Sequence, residues 1–581
     1  HKTLIMARAS RVLCFGALLS GSAAFTSGNR ALMGRGGTQR QGPTAADHSR
    51  TRRDMSSTGE DSWVEALREA EGKDIKKDFF ASSKFGGAED PARAANRLLL
   101  EWLLENGVYI SEASSWGEAP HPLGLSTETY DENNDNEASG RGLIARKPIN
   151  EGDRLFSIPV PLCLTKPMAR EVLGKRAIPA STSDYIAIAL LLMNERYVKG
   201  DSSFWWPYIN ILPETVEVNP SYTWSGEELA LLEGSPCIKA TESMQAKLRR
   251  EYAYLLSEGA FALDPSKFPG VDQEGQEGQG PFCFKHFEWA FTMLFSRAIR
   301  LEKLSSGDGV ALVPYADLIN HSPFSTAYIS ARQGEKSWFG DEPDEVVVYA
   351  DRAFKKMEQV FISYGQKSNA ELLLLYGFAL ERNPFNSVEV SFGLARDEED
   401  DPDGFLYEAK RAILTEGGLD PNNLAFPLYN DRYPNELLET LRLLVLRTED
   451  VTKTSANGSK ERSDPSKIRL TKALNSENEA LVYEAIVEAC FVALERYPTT
   501  EEEDTLLMAD RSMFTSLPVN ARNAIRLRRT EKRLLFRTIA SAERRLVEVK
   551  GGLTEQEEKK PWLDPKTRFE GIVDEIGVEL K

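Results

Sequence analysis

The sequence Asp317-Leu318-Ile319-Asn320-His321-Ser322-Pro323 contains an Asn-His pair at the entry to a proline-terminated turn. A carboxamide, an imidazole and the backbone groups freed by such a turn are well suited to holding a polar ligand. On its own, the pair is more typical of a local turn cap than of a ligand site. Its meaning therefore depends on the segments around it.

A second segment lies further along the chain, from Ser363-Tyr364-Gly365 to Tyr376-Gly377-Phe378. Ser368 and Asn369 stand where a helix N-cap is wanted, and the apolar run that follows predicts the helix body. Two tyrosines that bracket a capped turn place two hydroxyl groups near one point. Either tyrosine alone is more typical of a half-buried core residue.

A third segment, Gly140-Arg141-Gly142, is a glycine turn before a predicted strand, where backbone can approach a ligand closely. A strand at 153–159 follows, then a mainly helical stretch, then short strands at 309–314, 345–350 and 359–364. The acidic run Asp397–Asp403 marks a boundary, beyond which the pattern is overwhelmingly helical, with helices at 434–446, 475–495 and 519–549.

These patterns predict an α+β protein in several parts. The predicted parts are a targeting segment at 1–55, a polar region at 56–95, a domain of short β-sheets at 96–395 with a helical insertion at about 166–300, a helical domain at 404–550, and a tail at 551–581. At the front we expect a helix at about 63–71 and an amphipathic helix at 96–105 with Leu98, Leu99, Trp102 and Leu103 on one face, whereas 111–138 is predicted to be an acidic loop.

Composition narrows the function. The chain has 581 residues, a 41% hydrophobic fraction and a formal net charge of −18. A general nucleic-acid binder needs a basic face to neutralise phosphates, so this charge argues against one and suits a lysine-bearing protein partner. The five cysteines, at 14, 163, 237, 283 and 490, show no paired spacing, so we predict inert thiols and no metal site.

In this order the segments resemble the SET-domain methyltransferases. The helical insertion and the helical C-terminal domain resemble the branch typified by the plant Rubisco large-subunit lysine methyltransferase. The resemblance runs from about residue 95 to 550 and includes Phe295-Ser296-Arg297-Ala298 and the run Arg522–Arg528. It implies S-adenosylmethionine-dependent methyl transfer to the side-chain amine of a lysine in a protein, with a helical domain that binds the substrate.

The resemblance also implies roles for individual residues. Asn320 and His321 should hold the amino-acid part and the adenine of the cofactor. Backbone around Ser139, Gly140 and Arg141 should line the same pocket, and Arg297 its carboxylate end. Ser139 stands where some relatives have an acidic residue, which puts that side-chain contact in doubt.

The remaining implied roles concern the lysine. Tyr364 is implied as the catalytic tyrosine and Tyr376 as the wall of the lysine channel, while carbonyls near Ser296 and Asp317 should accept hydrogen bonds from the target ammonium. No metal is indicated.

The choice of acceptor stays open at this point. A related branch methylates a histidine of actin and carries a polar Asn two residues after the arginine matched to Arg297. Ile299 stands there instead, and an apolar wall suits a lysine stem better than an imidazole. A non-catalytic docking module and a nuclear histone methyltransferase are also compatible with the motifs.

The N-terminal region predicts targeting to an organelle. From Met6, a basic stretch, an apolar run ending at Leu19 and small residues resemble a secretory signal peptide. Phe25 follows, and the stretch to Arg53 is Arg-rich with one acidic residue, as in transit peptides and in the bipartite plastid signals of algae. We therefore expect a chloroplast-stroma protein, with cytoplasm or nucleus as the alternative. We further expect a monomer with no nucleic-acid partner, no stable membrane association, and Rubisco large subunit or aldolase as a possible substrate.

Overall fold

The computed structural model describes residues 90–551, apart from 109–121, 132–133, 135, 272–277, 335, 338–339, 431 and 455–459. The predicted targeting segment, the predicted helix at 63–71 and the predicted tail beyond 551 lie outside the described residues. Within them the chain is α+β, as predicted, with many helices and short strands in small sheets.

The helices are α1 Pro91–Glu105, α2 Lys166–Val172, α3 Asp184–Met193, α4 Trp206–Ile209, α5 Thr215–Val218, α6 Gly226–Ala230, α7 Cys237–Ser257, α8 Ala260–Leu263, α9 Phe284–Arg297, α10 Asn369–Tyr376, α11 Phe405–Glu416, α12 Asn435–Leu444, α13 Thr448–Val451, α14 Ser476–Leu494, α15 Glu501–Ala509, α16 Arg511–Ser516 and α17 Val519–Val549. The strands are β1 Leu123–Asp131, β2 Glu137–Ala145, β3 Arg154–Pro159, β4 Leu164–Thr165, β5 Ile299–Leu301, β6 Gly309–Leu312, β7 Asn320–His321, β8 Ser330–Arg332, β9 Lys336–Ser337, β10 Gly340–Asp341, β11 Glu345–Tyr349, β12 Phe361–Ile362, β13 Ser387–Phe392, β14 Leu424–Tyr429, β15 Thr452–Thr454 and β16 Lys460–Arg462.

The strands form small sheets of two or three members. β1 and β2 make an antiparallel hairpin, and the orders β3-β11-β8 and β4-β6-β5 make two three-stranded antiparallel sheets. β7 and β12 pair in parallel, with Phe361 opposite Asn320 and Ile362 opposite His321. The two motifs that the sequence separates are thus joined by backbone pairing.

The front of the domain differs from the prediction in three places. Helix α1 begins at Pro91 rather than at 96, because Asp90 caps its first turn and proline fits a helix N-terminus. Leu98 is 45% exposed, so it does not belong to the buried face. Strand β1 occupies part of the region predicted to be an acidic loop, because pairing with β2 satisfies its backbone.

The helical insertion is as predicted except at its end. Helix α9 stops at Arg297, because Ala298 adopts an extended backbone, and 299–301 form strand β5 against β6. The last helix of the insertion therefore ends three residues before the predicted end of the insertion at about 300. Consequently Ile299 lies on a strand that follows directly from the helix carrying Arg297.

The C-terminal part is mainly helical, as predicted, and α17 begins and ends at the predicted residues. Three strands there depart from the prediction: β15 pairs with β16, and β14 pairs with β13. Val388 and Val390 of β13 pack into the C-terminal hydrophobic core. A separate small core, made of residues from α6, α7, α10 and α17, joins the insertion to the C-terminal helix. The two domains therefore share packed surfaces around α10.

Other expectations concern the thiols, metals and membranes. Cys163, Cys237, Cys283 and Cys490 are buried and free, as predicted. The described residues contain no group of three or more His, Cys, Asp or Glu side chains that could hold a metal ion. No helix in this part of the chain is long and apolar enough to cross a membrane.

Candidate active site

The Asn320 carboxamide joins the first hairpin to the parallel pair β7–β12. Its Nδ2 lies 3.0 Å from Thr129 Oγ1, 3.3 Å from the Arg141 carbonyl and 2.9 Å from Gln359 Oε1, and donates toward all three. Thr129 Oγ1 in turn donates to the Gly140 carbonyl over 3.0 Å. Asn320 therefore fixes the position of the glycine turn that is predicted to line the cofactor pocket.

Gly142 makes that approach possible. A Cβ atom at this position would lie 2.7 Å from Asn320 Nδ2 and 2.9 Å from Gln359 Oε1. Both distances are below ordinary van der Waals contact, so any side chain would push the carboxamide away. The Gly-x-Gly pattern thus reflects a close approach by a side chain of β7.

His321 is buried and uncharged at neutral pH. Burial lowers the pKa of its imidazole to about 4. A hydrogen bond with the Ile362 backbone opposes this shift, and the nearby Lys367 cation contributes to it. Its Nδ1 accepts the Tyr364 backbone N–H over 3.1 Å, so the neutral ring carries its proton on Nε2. The imidazole therefore fixes the start of the tyrosine segment.

Aromatic rings continue from His321 through both predicted tyrosines. The His321 and Tyr364 ring centroids are 5.0 Å apart, and those of Tyr364 and Tyr376 are also 5.0 Å apart, both pairs being stacked. Phe378 closes the group, at 6.4 Å from His321 and 6.2 Å from Tyr376. The Asn-His motif and the Tyr-Gly-Phe motif therefore form one aromatic wall.

The Tyr364 hydroxyl donates to the Ile319 carbonyl over 2.7 Å. Burial raises the pKa of this phenol to about 12, with the Arg297 cation opposing the shift and Asp317 adding to it. A phenol with this pKa stays protonated at neutral pH, so it can donate and accept hydrogen bonds but cannot serve as a general base.

Buried charges flank the phenol. Arg297 Nη1 donates to the Asp317 carbonyl over 2.9 Å, and Tyr208 donates to the Asp317 carboxylate over 2.5 Å. Burial raises the pKa of Asp317 to about 6 despite the Arg297 cation and the Tyr208 hydrogen bond. The Asp317 carbonyl, which is predicted to face the lysine, thus already accepts one hydrogen bond from Arg297. Its second lone pair remains available to accept another.

The backbone is strained just before Asp317. Tyr315 has φ +74° and ψ −44°, a conformation that residues other than glycine rarely adopt. Its fully buried ring packs edge-on against Phe156 at 5.2 Å, which anchors the strained turn. Such strain is found where a structure must aim backbone groups in a particular direction.

The remaining predicted residues lie beside these groups along the chain. Ser296 precedes Arg297 at the end of α9, and its hydroxyl bonds back to the Thr292 carbonyl over 2.7 Å. Ser139 Oγ contacts the Glu137 carbonyl at 3.4 Å. Ile299 is half-buried on β5 and packs against the main hydrophobic core.

Several residues of the site carry no sequence motif. They are Thr129, Gln359, Tyr208 and Tyr185. Burial is the main cause of the raised pKa of Tyr376, and Tyr364 and then Tyr185 raise it further. Thr129 falls in the stretch predicted to be a loop, and Tyr208 and Tyr185 fall in stretches predicted to be helical. No local pattern marks these residues, since their partners are distant in the chain.

The chain's own groups fit a cofactor with a carboxylate and an adenine. The Nε atoms of Arg141 and Arg297 are buried without a hydrogen-bond partner among the described residues. Burial, then the nearby Arg297 cation, lowers the pKa of Arg141, which a bound anion would relieve. The neutral His321 ring and the backbone at Gly140, with φ +70°, are further groups that a polar and aromatic ligand could contact.

Comparison with known proteins agrees with this arrangement. The family model for the SET domain matches residues 140–365, and the model described as Rubisco LSMT substrate-binding matches residues 401–535. The two matches lie in the predicted order, with the SET domain before the substrate-binding domain. The predicted family resemblance and fold are thereby confirmed.

Individual relatives include enzymes of two kinds. The chain is 29% identical over 442 residues to the chloroplastic Rubisco large subunit N-methyltransferase of Pisum sativum, covering 74% of this chain and 79% of the relative. It is 28% identical over 439 residues to the actin-histidine N-methyltransferase of Homo sapiens, covering 72% of this chain and 66%, about two thirds, of the relative.

Solved structures show the same fold. A structure described as the SET domain of LSMT bound to lysine and AdoHcy aligns with a TM-score of 0.59 and 25% identity, over 83% of this chain and 99% of the other. Rubisco LSMT bound to sinefungin and monomethyllysine aligns with a TM-score of 0.56 and 25% identity, over 83% of this chain and all of the other.

We predict that His321 titrates far below an ordinary histidine. Because its folded-state pKa of about 4 lies below the unfolded value of 6.5, the unfolded chain binds the proton more tightly. The stability that depends on the neutral ring is therefore complete above pH 6.5 and is lost as pH falls toward 4. Histidine ring resonances followed by NMR from pH 7.5 to 4.5 should show His321 unchanged above about pH 5.

The His321→Asn variant assigns the resonance, since the chain has only five histidines. A midpoint near 6.5 for the resonance that this variant removes would contradict the buried, neutral state.

Proposed function

We propose that this chain is a SET-type protein methyltransferase that uses S-adenosylmethionine to methylate the side-chain amine of a lysine in a protein. The observation that carries the proposal is the wall His321–Tyr364–Tyr376, with the Tyr364 hydroxyl held by the Ile319 carbonyl beside Arg297. The cofactor part is confirmed by the SET domain match and by solved relatives described with AdoMet or AdoHcy.

The cofactor supplies a methyl group made electrophilic by its bond to a sulfonium. Arg141 and Arg297, with their unpartnered Nε atoms, would hold its carboxylate, and Asn320 and His321 its amino-acid and adenine parts. Backbone from Ser139 to Arg141 would line the same pocket. Because Asn320 already ties this backbone to β7, cofactor binding would require little reordering of the chain.

Tyr364 would orient the amine. Its hydroxyl hydrogen is donated to the Ile319 carbonyl, so the lone pairs of the phenol oxygen can face the electron-poor methyl carbon or accept an amine hydrogen. Since its pKa is raised to about 12, it does not take the lysine proton. The ammonium must instead lose its proton to solvent, and a dry channel next to the Arg297 cation favours that loss.

The channel wall would hold the lysine stem and exclude water. Burial raises the pKa of Tyr376 above its usual range, so its ring remains neutral and apolar against Tyr364. Carbonyls at Ser296 and Asp317 would accept hydrogen bonds from the amine. Alignment in such a channel can account for large rate factors without an acid or base of the protein's own.

Lysine is favoured over histidine by Ile299. An apolar side chain there gives an imidazole nitrogen no partner, whereas it can contact an aliphatic stem. Relatives of both kinds are similar in identity, so the preference rests on this residue and not on overall likeness. Histidine methylation is the second candidate function because the actin-histidine enzymes match nearly the same length of this chain.

Plastid placement is also proposed. It is supported by the composition of residues 1–53 and by the chloroplastic relative in Pisum sativum. Rubisco large subunit and fructose-bisphosphate aldolase are then candidate substrates. We expect residues 1–55 fused to a fluorescent protein to direct it into the plastid of an algal cell, whereas a cytosolic or nuclear signal would refute this placement.

The acceptor residue can be identified by mass spectrometry of stromal proteins with and without this chain. We expect the added methyl groups on lysine. Ile299→Asn is expected to lower lysine methylation about 10-fold, because a polar group in an apolar channel is left without a partner. Methyl groups found on histidine alone would replace the lysine proposal with the second candidate.

We predict that Tyr364→Phe lowers methyl transfer by about 100-fold or more, because the amine loses the oxygen that orients it. Binding of sinefungin, measured by calorimetry, should change by less than about 3-fold, since the ring stack is kept. Tyr328→Phe is the matched control because its side chain is 70% exposed and is not one of the stacked rings. An active Tyr364→Phe protein would remove this residue from the mechanism.

A further inference from the structure

One turn of the C-terminal helix α17 faces the channel wall. Asn523 Nδ2 donates to the Gly377 carbonyl over 3.0 Å, and its Oδ1 accepts the Ala379 N–H over 3.2 Å. The side chain is 3% exposed, so both bonds are made away from water. The two backbone groups lie on either side of Phe378, and Gly377 directly follows Tyr376.

The same short segment is held from other directions. Gly377 ends α10 with φ +77°, and a Cβ there would lie 1.7 Å from the Val218 carbonyl of the helical insertion. Asn134, in the β1–β2 connection, donates to the Ala379 carbonyl over 3.4 Å and accepts the Glu381 N–H over 3.1 Å. The Ala379 backbone is therefore bonded on one side by α17 and on the other by the first hairpin.

Arg526, one turn further along α17, contacts β2, called the cofactor strand here because it leads into the Ser139–Arg141 backbone that is proposed to line the cofactor site. Its guanidinium forms two bonds to the Glu137 carboxylate, Nη1 to Oε2 over 2.9 Å and Nη2 to Oε1 over 2.5 Å, and Arg522 lies 3.2 Å from the same carboxylate. Arg526 is 1% exposed. Glu137 begins β2 and stands two residues before Ser139, so this fork fixes the orientation of the strand that leads into the glycine turn.

We propose that Asn523 and Arg526 are positioning residues, through which the C-terminal domain sets the channel wall and the cofactor strand. The inference rests on the proposed function and extends it: the domain completes the active centre as well as binding the substrate. Asn523 places Tyr376 and Phe378, and Arg526 places the Ser139–Arg141 backbone. Small displacements of such groups are costly, because rate depends steeply on the alignment of the reacting atoms.

The channel arm of the test compares Asn523→Ala with Asn520→Ala in the full chain. Asn520 is a matched control because it lies on the same helix, is 7% exposed and bonds to Glu228 and Asn219 of the insertion instead of the channel wall. We expect similar losses of melting temperature. With free L-lysine as the acceptor, we expect kcat about 10- to 100-fold lower for Asn523→Ala and within about 3-fold of wild type for Asn520→Ala.

Equal kcat values for the two variants would overturn the role of Asn523, because a merely structural contact would affect both alike. If Asn523→Ala does not fold, the isosteric Asn523→Asp decides the point, since it keeps the acceptor for the Ala379 N–H and loses the donor for the Gly377 carbonyl. A kcat like that of wild type in this variant would likewise overturn the role.

The cofactor arm does not depend on methyl transfer. Arg526→Lys, which loses the two-pronged contact, is expected to weaken sinefungin binding about 10-fold by calorimetry. Arg528→Lys is the control, since Arg528 bonds to the Leu231 carbonyl and pairs with Asp504 rather than with β2. Unchanged sinefungin binding by Arg526→Lys would overturn the role of Arg526.

The two arms separate this inference from the proposed function. A wild-type chain that binds sinefungin but methylates neither free lysine nor any protein would refute the methyltransferase alone, and the cofactor arm would then decide the inference.

Discussion

The structure depends most on the hydrogen bonds of one carboxamide. Asn320 Nδ2 has two hydrogens and lies within 3.3 Å of three acceptors, which belong to β1, to β2 and to Gln359 shortly before β12. Those acceptors hold the first hairpin against the parallel pair. The glycine turn, the neutral His321 and, through it, the Tyr364 backbone all take their positions from this point.

The second constraint is the burial of charge. Arg297 and Asp317 lie close to Tyr364, and Arg141 lies near Arg297. Burial shifts the pKa of Arg141 down and that of Asp317 up. Each shift disfavours the charged form, so the protein gives up stability to keep ionisable groups here. The Tyr208 hydroxyl and the Arg297 guanidinium offset part of that cost for Asp317. The retained cations are the groups that would hold the anionic part of the proposed cofactor.

Local patterns in the sequence predict the elements that are stabilised locally. The N-cap at Ser368 and the bounds of α17 both follow from short-range chemistry, and both predictions are confirmed. Local patterns do not predict strand β1, because its composition is that of an acidic loop and it becomes a strand only by pairing with β2. Nor do they predict the end of α9, because Ile299 pairs with Ala311 of β6, a contact that no helical periodicity reveals.

The candidate site shows the same division between motif and contact. Asn320, His321, Tyr364 and Tyr376 are predicted as a group, and the structure stacks three of them and ties the fourth to the glycine turn. Thr129 and Gln359, which supply the acceptors, carry no motif. Arg526 and Glu137 are 389 residues apart in the chain, so only the folded structure shows that they meet.

The two domains depend on each other through these partners, which are far apart in the sequence. The first hairpin and the last helix of the described chain meet at Glu137, and both bond to the backbone of Ala379. A chain that ended before α17 would leave the Glu137 carboxylate, the Gly377 carbonyl and the Ala379 N–H without these partners. Water could then replace α17 as their partner, but it would not fix the position of the segment that carries Tyr376 and Phe378. The last helix is therefore part of what holds the Tyr376–Phe378 segment and the start of β2 in place, so the two domains are not structurally independent.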